Sequence, residues 1–123
     1  MSNAMKLIFV YGTLKRGGHN HHFISRQTFA GPAHTTPGFT LFDLGGYPGL
    51  VADIEAEEGV SGEVWSIDDE CLSGLDVLEG TAEGLYRREP IALSPPFADR
   101  QVDAYFYNRS VRDRKRIGEH WDG

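Results

Sequence analysis

Cysteine is nearly absent. Cys71 stands alone in 123 residues, so no intramolecular disulfide and no zinc–cysteine cluster can form, and a reducing compartment fits the chain. Long apolar runs are missing too. The first, Leu7–Tyr11, is shorter than a signal-peptide core, and no run approaches the ~20 residues that span a bilayer. These absences make the cytoplasm the expected location and exclude a membrane partner. Basic residues are the minority, 12 against 18 acidic, and the net charge of −6 argues against a nucleic-acid surface as the main partner. No repeat, low-complexity segment or internal linker interrupts the sequence.

What is present is ordinary for a soluble globular protein: 40% hydrophobic and 24% charged residues. Met1-Ser2-Asn3-Ala4 precedes a second methionine and reads as an expression remnant. Residues 5–123 are enough for one domain with a real core and too few for two.

The segment Lys6–Gly18 organises the rest. Leu7-Ile8-Phe9-Val10-Tyr11 is apolar without alternation, the pattern of a strand buried on both faces. Gly12 cuts it, and Thr13-Leu14 lead to a turn at Gly17-Gly18. A strand that stops at glycine leaves backbone N–H groups converging on one spot, where they can hold a carboxylate or a developing oxyanion. His19, His21 and His22 follow on a helical turn. Only His19 and His22 have helical ligand spacing, so these are solvated or packing histidines and no metal is expected.

Further strands are expected from about Phe39, over Val60–Ile67, over Leu85–Leu93 and over Val102–Tyr107, with a short extended piece at Leu50-Val51. Pro90 places the third of these at an edge or bulge. Gly45–Gly49 is a loop, Glu55, Glu57 and Glu58 form a solvated acidic turn, and the arginine-rich tail from Asn108 reads as solvated or salted by a partner. Between Ile67 and Gly80 lies a helix. Asp68 or Ser66 caps it, Asp69 and Glu70 suit its positive end, and Leu72, Leu75 and Leu78 form its apolar stripe. Gly80 ends it in a left-handed conformation, leaving Glu79 in the last turn. The negative helix end, together with any burial, raises the pKa of Glu79 and suits it to carry a proton near neutral pH.

Six stretches share one order and spacing with a known family: Phe9–Gly17 (F-V-Y-G-T-L-K-R-G), Val60–Trp65, Leu75–Gly80 (L-D-V-L-E-G), Leu85–Pro90 (L-Y-R-R-E-P), Ala104–Tyr107 and the I-G-E-H-W-D ending. Together they resemble the gamma-glutamylcyclotransferase-like (AIG2-like) family, in particular its small bacterial branch. The resemblance implies an α+β fold, a small mixed β-barrel with one or two short packed helices. It also implies release of a γ-glutamyl group as 5-oxoproline, through attack of the glutamyl α-amine on its own γ-carbonyl. Carried over by position, Glu79 is the acid/base. Tyr11, Gly12, Thr13 and Leu14 form the pocket floor and Tyr86 lines it, with Tyr107 a further candidate. The implied partner is a small γ-glutamyl molecule, with neither cofactor nor metal. The amine half meets loops at Gly45–Gly49 and near Gly84, whose sequences do not specify it, and no oligomeric state is implied. Two other readings stand beside this one: a non-catalytic binding or regulatory module on the same fold, and a hydrolase using Asp76 and Glu79 as a carboxylate pair.

Overall fold

The computed structural model describes residues 5–122; Met1–Ala4, expected to be an expression remnant, and Gly123 lie outside the described residues. Eight strands form one mixed sheet: β1 (Lys6–Val10), β2 (Thr28–His34), β3 (Phe39–Asp43), β4 (Pro48–Ala52), β5 (Ser61–Ile67), β6 (Tyr86–Pro90), β7 (Val102–Tyr107) and β8 (Lys115–Gly118). The order is β2-β5-β1-β7-β4-β3-β8, with β6 paired to β7. One helix, α1 (Asp69–Leu78), and a single 3-10 turn at His21–Phe23 pack on it.

The sheet has two apolar faces, and β1 supplies both. Phe9 and Tyr11 join Leu41, Leu50, Val64 and Phe106 in a core enclosed by the curl of the sheet. Ile8 and Val10 face the other way, toward Leu75 of α1 and Ile24 after the 3-10 turn. The unalternating run in β1 thus reflects burial on both sides. The same is true of β7, all six of whose residues are buried.

The pairing of β7 creates the site. One edge of β7 is occupied along its length by antiparallel β6. The other edge takes two parallel partners in succession. β1 pairs with it from Leu7↔Val102 to Phe9↔Ala104, and β4 then takes over at Leu50↔Phe106. Past Val10, therefore, the chain must leave the sheet, and Tyr11-Gly12 turns into the gap where β4 begins. The turn lies so close to β4 that a Cβ on Gly12 would come 2.6 Å from Cγ of Pro48. Only glycine fits there.

Three expectations change. Thr28–His34 is a strand although no signal marked it, and Lys115–Gly118 makes the solvated tail in part a strand, paired antiparallel to β3. The expected Leu85–Leu93 strand is shorter, ending at Pro90, with Leu93 retained only as an isolated bridge to Thr35. Val60–Ile67 is buried on both faces, Val60 and Val64 in one apolar cluster and Trp65 and Ile67 in the other.

Candidate active site

Helix α1 delivers Glu79 to the gap beside the Gly12 turn. The Asp68 carboxylate accepts a hydrogen bond from the Cys71 amide at 2.8 Å and starts the helix there. At the other end Glu79 is the C-cap and Gly80 takes φ +65°, the left-handed stop anticipated from its position. Leu75 buries the inner stripe in the sheet, so the end of the helix is held against the sheet gap.

A cavity of about 240 Å³ occupies the gap. Tyr11, Gly12, Thr13, Leu14, Glu79 and Tyr86 all line it, as do Gly46 and Tyr47 from the loop expected to meet the amine half and Pro48, where that segment has already entered β4. Tyr107 does not line it. It stacks edge-on behind Tyr86, with ring centroids 5.5 Å apart, so that candidate is a supporting side chain. Leu85 reaches the wall where Gly84 was expected to be near it. Asn20 and Tyr105, which carried no signal of their own, also line the cavity, as does His19, expected only as a solvated or packing histidine. Nδ1 of His21 lies 2.9 Å from the Leu14 carbonyl, which makes it a packing residue, while His22 stacks on its neighbour Phe23 at 4.4 Å and is exposed.

Glu79 is the only carboxylate among the described lining residues. Burial raises its pKa to about 7. Among the described residues no hydrogen bond or neighbouring cation counters that shift. The hydroxyls around it are already used. Tyr11 donates to the Tyr105 carbonyl at 2.6 Å, Tyr86 to the Pro48 carbonyl at 3.0 Å, and Tyr105 to Oδ1 of Asp76 at 2.7 Å. Burial, followed by the Tyr86 and Glu79 charges, pushes the Tyr11 phenol far up. Burial first and then Glu79 does the same for Tyr86. These phenols stay neutral, and Glu79 is the carboxyl in the chamber that can exchange a proton near neutral pH.

Opposite it are donors without acceptors. Among the described residues the amides of Gly12, Thr13 and Leu14 donate to no backbone or side-chain acceptor; the turn is closed instead by Lys15 N–H to the Gly12 carbonyl at 3.1 Å and Asn20 N–H to the Thr13 carbonyl at 3.0 Å. Asn20 Nδ2 also donates to Oγ1 of Thr13 at 3.0 Å. The loop beyond is pinned by Glu63, which accepts from the Arg16 amide and Nε, each at 3.1 Å, and from the Trp65 indole at 3.1 Å. Despite the opposing effect of partial burial, those bonds hold the Glu63 carboxyl below its usual range.

Asp76 is not a second carboxylate of this chamber. Arg88 grips it through Nε at 3.0 Å and Nη2 at 3.2 Å, while Nη1 reaches Asp103 at 3.1 Å. Burial opposes ionisation of Asp76, but the Arg88 fork and the Tyr105 hydroxyl outweigh it and lower the pKa. A carboxylate held ionised and already paired cannot serve as the partner acid that the hydrolase reading needs.

The chain is similar in sequence and fold to proteins of one known family. The profile of the family described as gamma-glutamyl cyclotransferase, AIG2-like, matches residues 8–123. A Vibrio cholerae protein named as a candidate gamma-glutamylcyclotransferase is 40% identical over 106 residues, covering 86% of this chain and 85% of that one. The gamma-L-glutamyl-butirosin B gamma-glutamyl cyclotransferase of Niallia circulans is 32% identical over 111 residues, covering 85% of this chain and 69% of its own. Among solved structures, an AIG2-like protein from Mus musculus superposes with a TM-score of 0.74 at 28% identity, over 88% of this chain and 81% of that one.

Proposed function

Because the chain belongs to the gamma-glutamyl cyclotransferase, AIG2-like family, we propose that it releases 5-oxoproline from a γ-glutamyl amine or γ-glutamyl amino acid, with Glu79 as the acid/base. The observation that carries this reading is a lone carboxyl with a pKa of about 7, set in a small chamber opposite open backbone amides.

The steps follow from the chemistry of the substrate. The glutamyl α-ammonium gives a proton to the Glu79 carboxylate. The freed amine attacks the γ-carbonyl carbon and closes a five-membered ring. Nucleophile and electrophile belong to one molecule, so the site has only to hold the attacking conformer and move a proton. As the ring closes, the γ-carbonyl oxygen gains negative charge, and in this reading the unpaired amides of the Gly12–Leu14 turn supply the donors for it. Glu79 then returns the proton to the departing nitrogen, the old amide bond breaks, and the ring nitrogen gives up its second proton through the same carboxylate to the released amine, so that neutral-ring 5-oxoproline and an ammonium leave. A pKa near ambient pH suits these transfers. The chamber of about 240 Å³ is below the ~300–1,000 Å³ typical of drug-sized ligands, a fit for one amino-acid unit with the amine half outside.

The test is an assay of 5-oxoproline by mass spectrometry over γ-glutamyl amino acids, γ-glutamyl amines and γ-glutamyl-ε-lysine, beside Glu79→Gln. The wild type forms product and the variant loses at least ~10²-fold in turnover, the lower range of a general acid/base contribution. Thermal stabilisation by these compounds without product would favour the binding-module alternative. Loss of turnover in Asp76→Asn as complete as in Glu79→Gln would contradict a single-glutamate mechanism.

A further inference from the structure

Strand β8 closes one end of the strand order, and the chain runs on past it. The Thr40 hydroxyl first holds the carbonyl of Gly118 at 3.3 Å. One residue later the Glu119 carbonyl accepts from the Ser61 amide at 2.8 Å. Ser61 opens β5, which lies next to the opposite end of the order. Residues 119–122 therefore form a strap between the two ends of the curled sheet. Trp121 packs its ring against the core inside the curl. The ring brings no polar tether, because its Nε1 is buried without an acceptor. The polar handle of this residue is its carbonyl, which accepts from the Lys15 ammonium at 2.8 Å.

Lys15 joins the strap to the turn that carries the unpaired amides. Its own N–H closes the turn on the Gly12 carbonyl at 3.1 Å, and its carbonyl accepts from the Gly18 amide at 2.8 Å. The next residue, Arg16, is fixed to Glu63 of β5 through its amide and Nε, each at 3.1 Å. Turn, β5 and strap are thus tied pairwise: turn to β5 by Arg16, β5 to strap by Ser61, strap to turn by Lys15. Neither Lys15 nor any residue of the strap lines the Glu79 chamber. An effect of theirs on a γ-glutamyl group seated there has to pass through the backbone of the turn.

We infer that the bond from Lys15 to the Trp121 carbonyl holds the Gly12–Leu14 amides in place for the developing oxyanion, so that Lys15 and Trp121 are positioning residues of the reaction; this rests on the γ-glutamyl reading above. Donors for an oxyanion are effective when they are fixed before the charge appears, and fixing them is the work of the residues behind them. Gly12 has no side chain with which to brace the turn. A bond from an ammonium is charge-assisted and stronger than one between neutral groups, and Lys15 is half-buried where it makes it. Lys15 also faces the polar cavity on the outer side of the turn, so positioning must be separated from contact with substrate.

The experiment uses the full chain and two readouts. Amide hydrogen exchange follows Gly18 and Asn20, whose N–H groups bond the Lys15 and Thr13 carbonyls across the turn. Kinetics follow 5-oxoproline release from the γ-glutamyl compound that the wild type turns over best in the panel above. Lys15→Met keeps the aliphatic stem and removes the donor. In it the Gly18 and Asn20 amides exchange about tenfold faster, the scale of one lost hydrogen bond, while the β1 amides keep the wild-type rate. Its kcat falls about tenfold, less than the ~10²-fold for an oxyanion donor deleted outright, with KM within about twofold of the wild type. Trp121→Ala unseats the strap and gives the same pattern, and the double variant loses no more than the larger single loss. Should Trp121→Ala fail to fold, Lys15→Met decides alone. Unchanged exchange in Lys15→Met overturns the link between strap and turn, whatever the kinetics. A raised KM at unchanged kcat overturns it too, since Lys15 would then touch the substrate. Additive losses in the double variant show that Lys15 does not act through the strap. Faster exchange in Lys15→Met, with no product from the folded wild type on any compound of the panel, takes down the γ-glutamyl reading and the positioning role with it.

Discussion

A carboxyl whose pKa is about 7 leaves a signature in the rate. In the proposed mechanism the ionised form of Glu79 starts the reaction, so kcat/KM should fall as pH drops below about 7, approaching tenfold per unit. A rate profile that stays flat from pH ~5 to ~7 would remove Glu79 from the base role, because an ordinary glutamate, with a pKa near ~4.3, is ionised throughout that range. The residues behind this prediction differ in how readable they were. Gly12 interrupts an apolar run and Gly80 follows a capped helix, so the turn and Glu79 could be placed by local rules. Tyr105 could not. It and Tyr107 lie on the same face of β7 and belong to one apolar cluster, and only the spacing of β6, β1 and β4 across the sheet determines that the cavity stops at Tyr105. His19, Asn20 and Tyr47 reach the chamber from loops, for which no periodic pattern exists.

At the scale of elements, what fixes the end of α1 is the Arg88 fork. It ties Asp76, one turn before Glu79, to β6, and through Asp103 to β7, while Tyr105 bonds the same carboxylate. Arg88→Met keeps the length of the side chain but leaves Asp76 without its cation and Asp103 with Lys6 alone, at 3.4 Å. The expected cost is about 1–3 kcal/mol of stability, because the partly buried Asp76 and the buried Asp103 lose charged hydrogen bonds. Urea unfolding reads that loss. Turnover should fall as well, since Glu79 sits one residue beyond the helix that the fork anchors. A variant with unchanged stability would show that the fork is a solvated surface pair. The same strands show why some elements were legible and others not. Helix α1 has a cap, an acidic first turn and a glycine stop, and all three lie in contiguous sequence. Strand β2 reads T-F-A-G-P-A-H, with glycine and proline at its centre and a register shift between Phe29 and Gly31. Such a strand is tolerated because β2 forms an edge of the sheet. Strand β8 begins with Lys115-Arg116 on the opposite edge, where charge discourages further pairing and disguises the strand as a solvated tail.

For the whole molecule, the site is a liability that can be measured. The sheet splits where β1 and β4 share one edge of β7, and α1 closes the gap by burying Glu79 without a hydrogen-bond partner. Unfolded, that carboxyl titrates near 4.5; folded, at about 7. Between those values the native state holds a proton that the unfolded chain has released, so stability attributable to Glu79 falls as pH rises through this window and levels off above it. At ~1.4 kcal/mol per unit, the full penalty is about 3 kcal/mol for the shift from 4.5 to about 7. Glu63 and Asp76 carry the opposite dependence, with pKa values lowered by their partners and stability lost in acid. A pH–stability curve of the wild type alone mixes these effects. The difference between Glu79→Gln and wild type separates them, because every other group is common to both chains and the substituted amide does not titrate. We expect the variant to gain on the wild type steadily from pH ~4.5 to ~7 and to hold a constant advantage above that, read from urea midpoints in one buffer series. Curves that run parallel across the window would mean that Glu79 is solvated in the folded state, and the chamber would then lack the neutral-pH proton carrier on which the proposed chemistry depends.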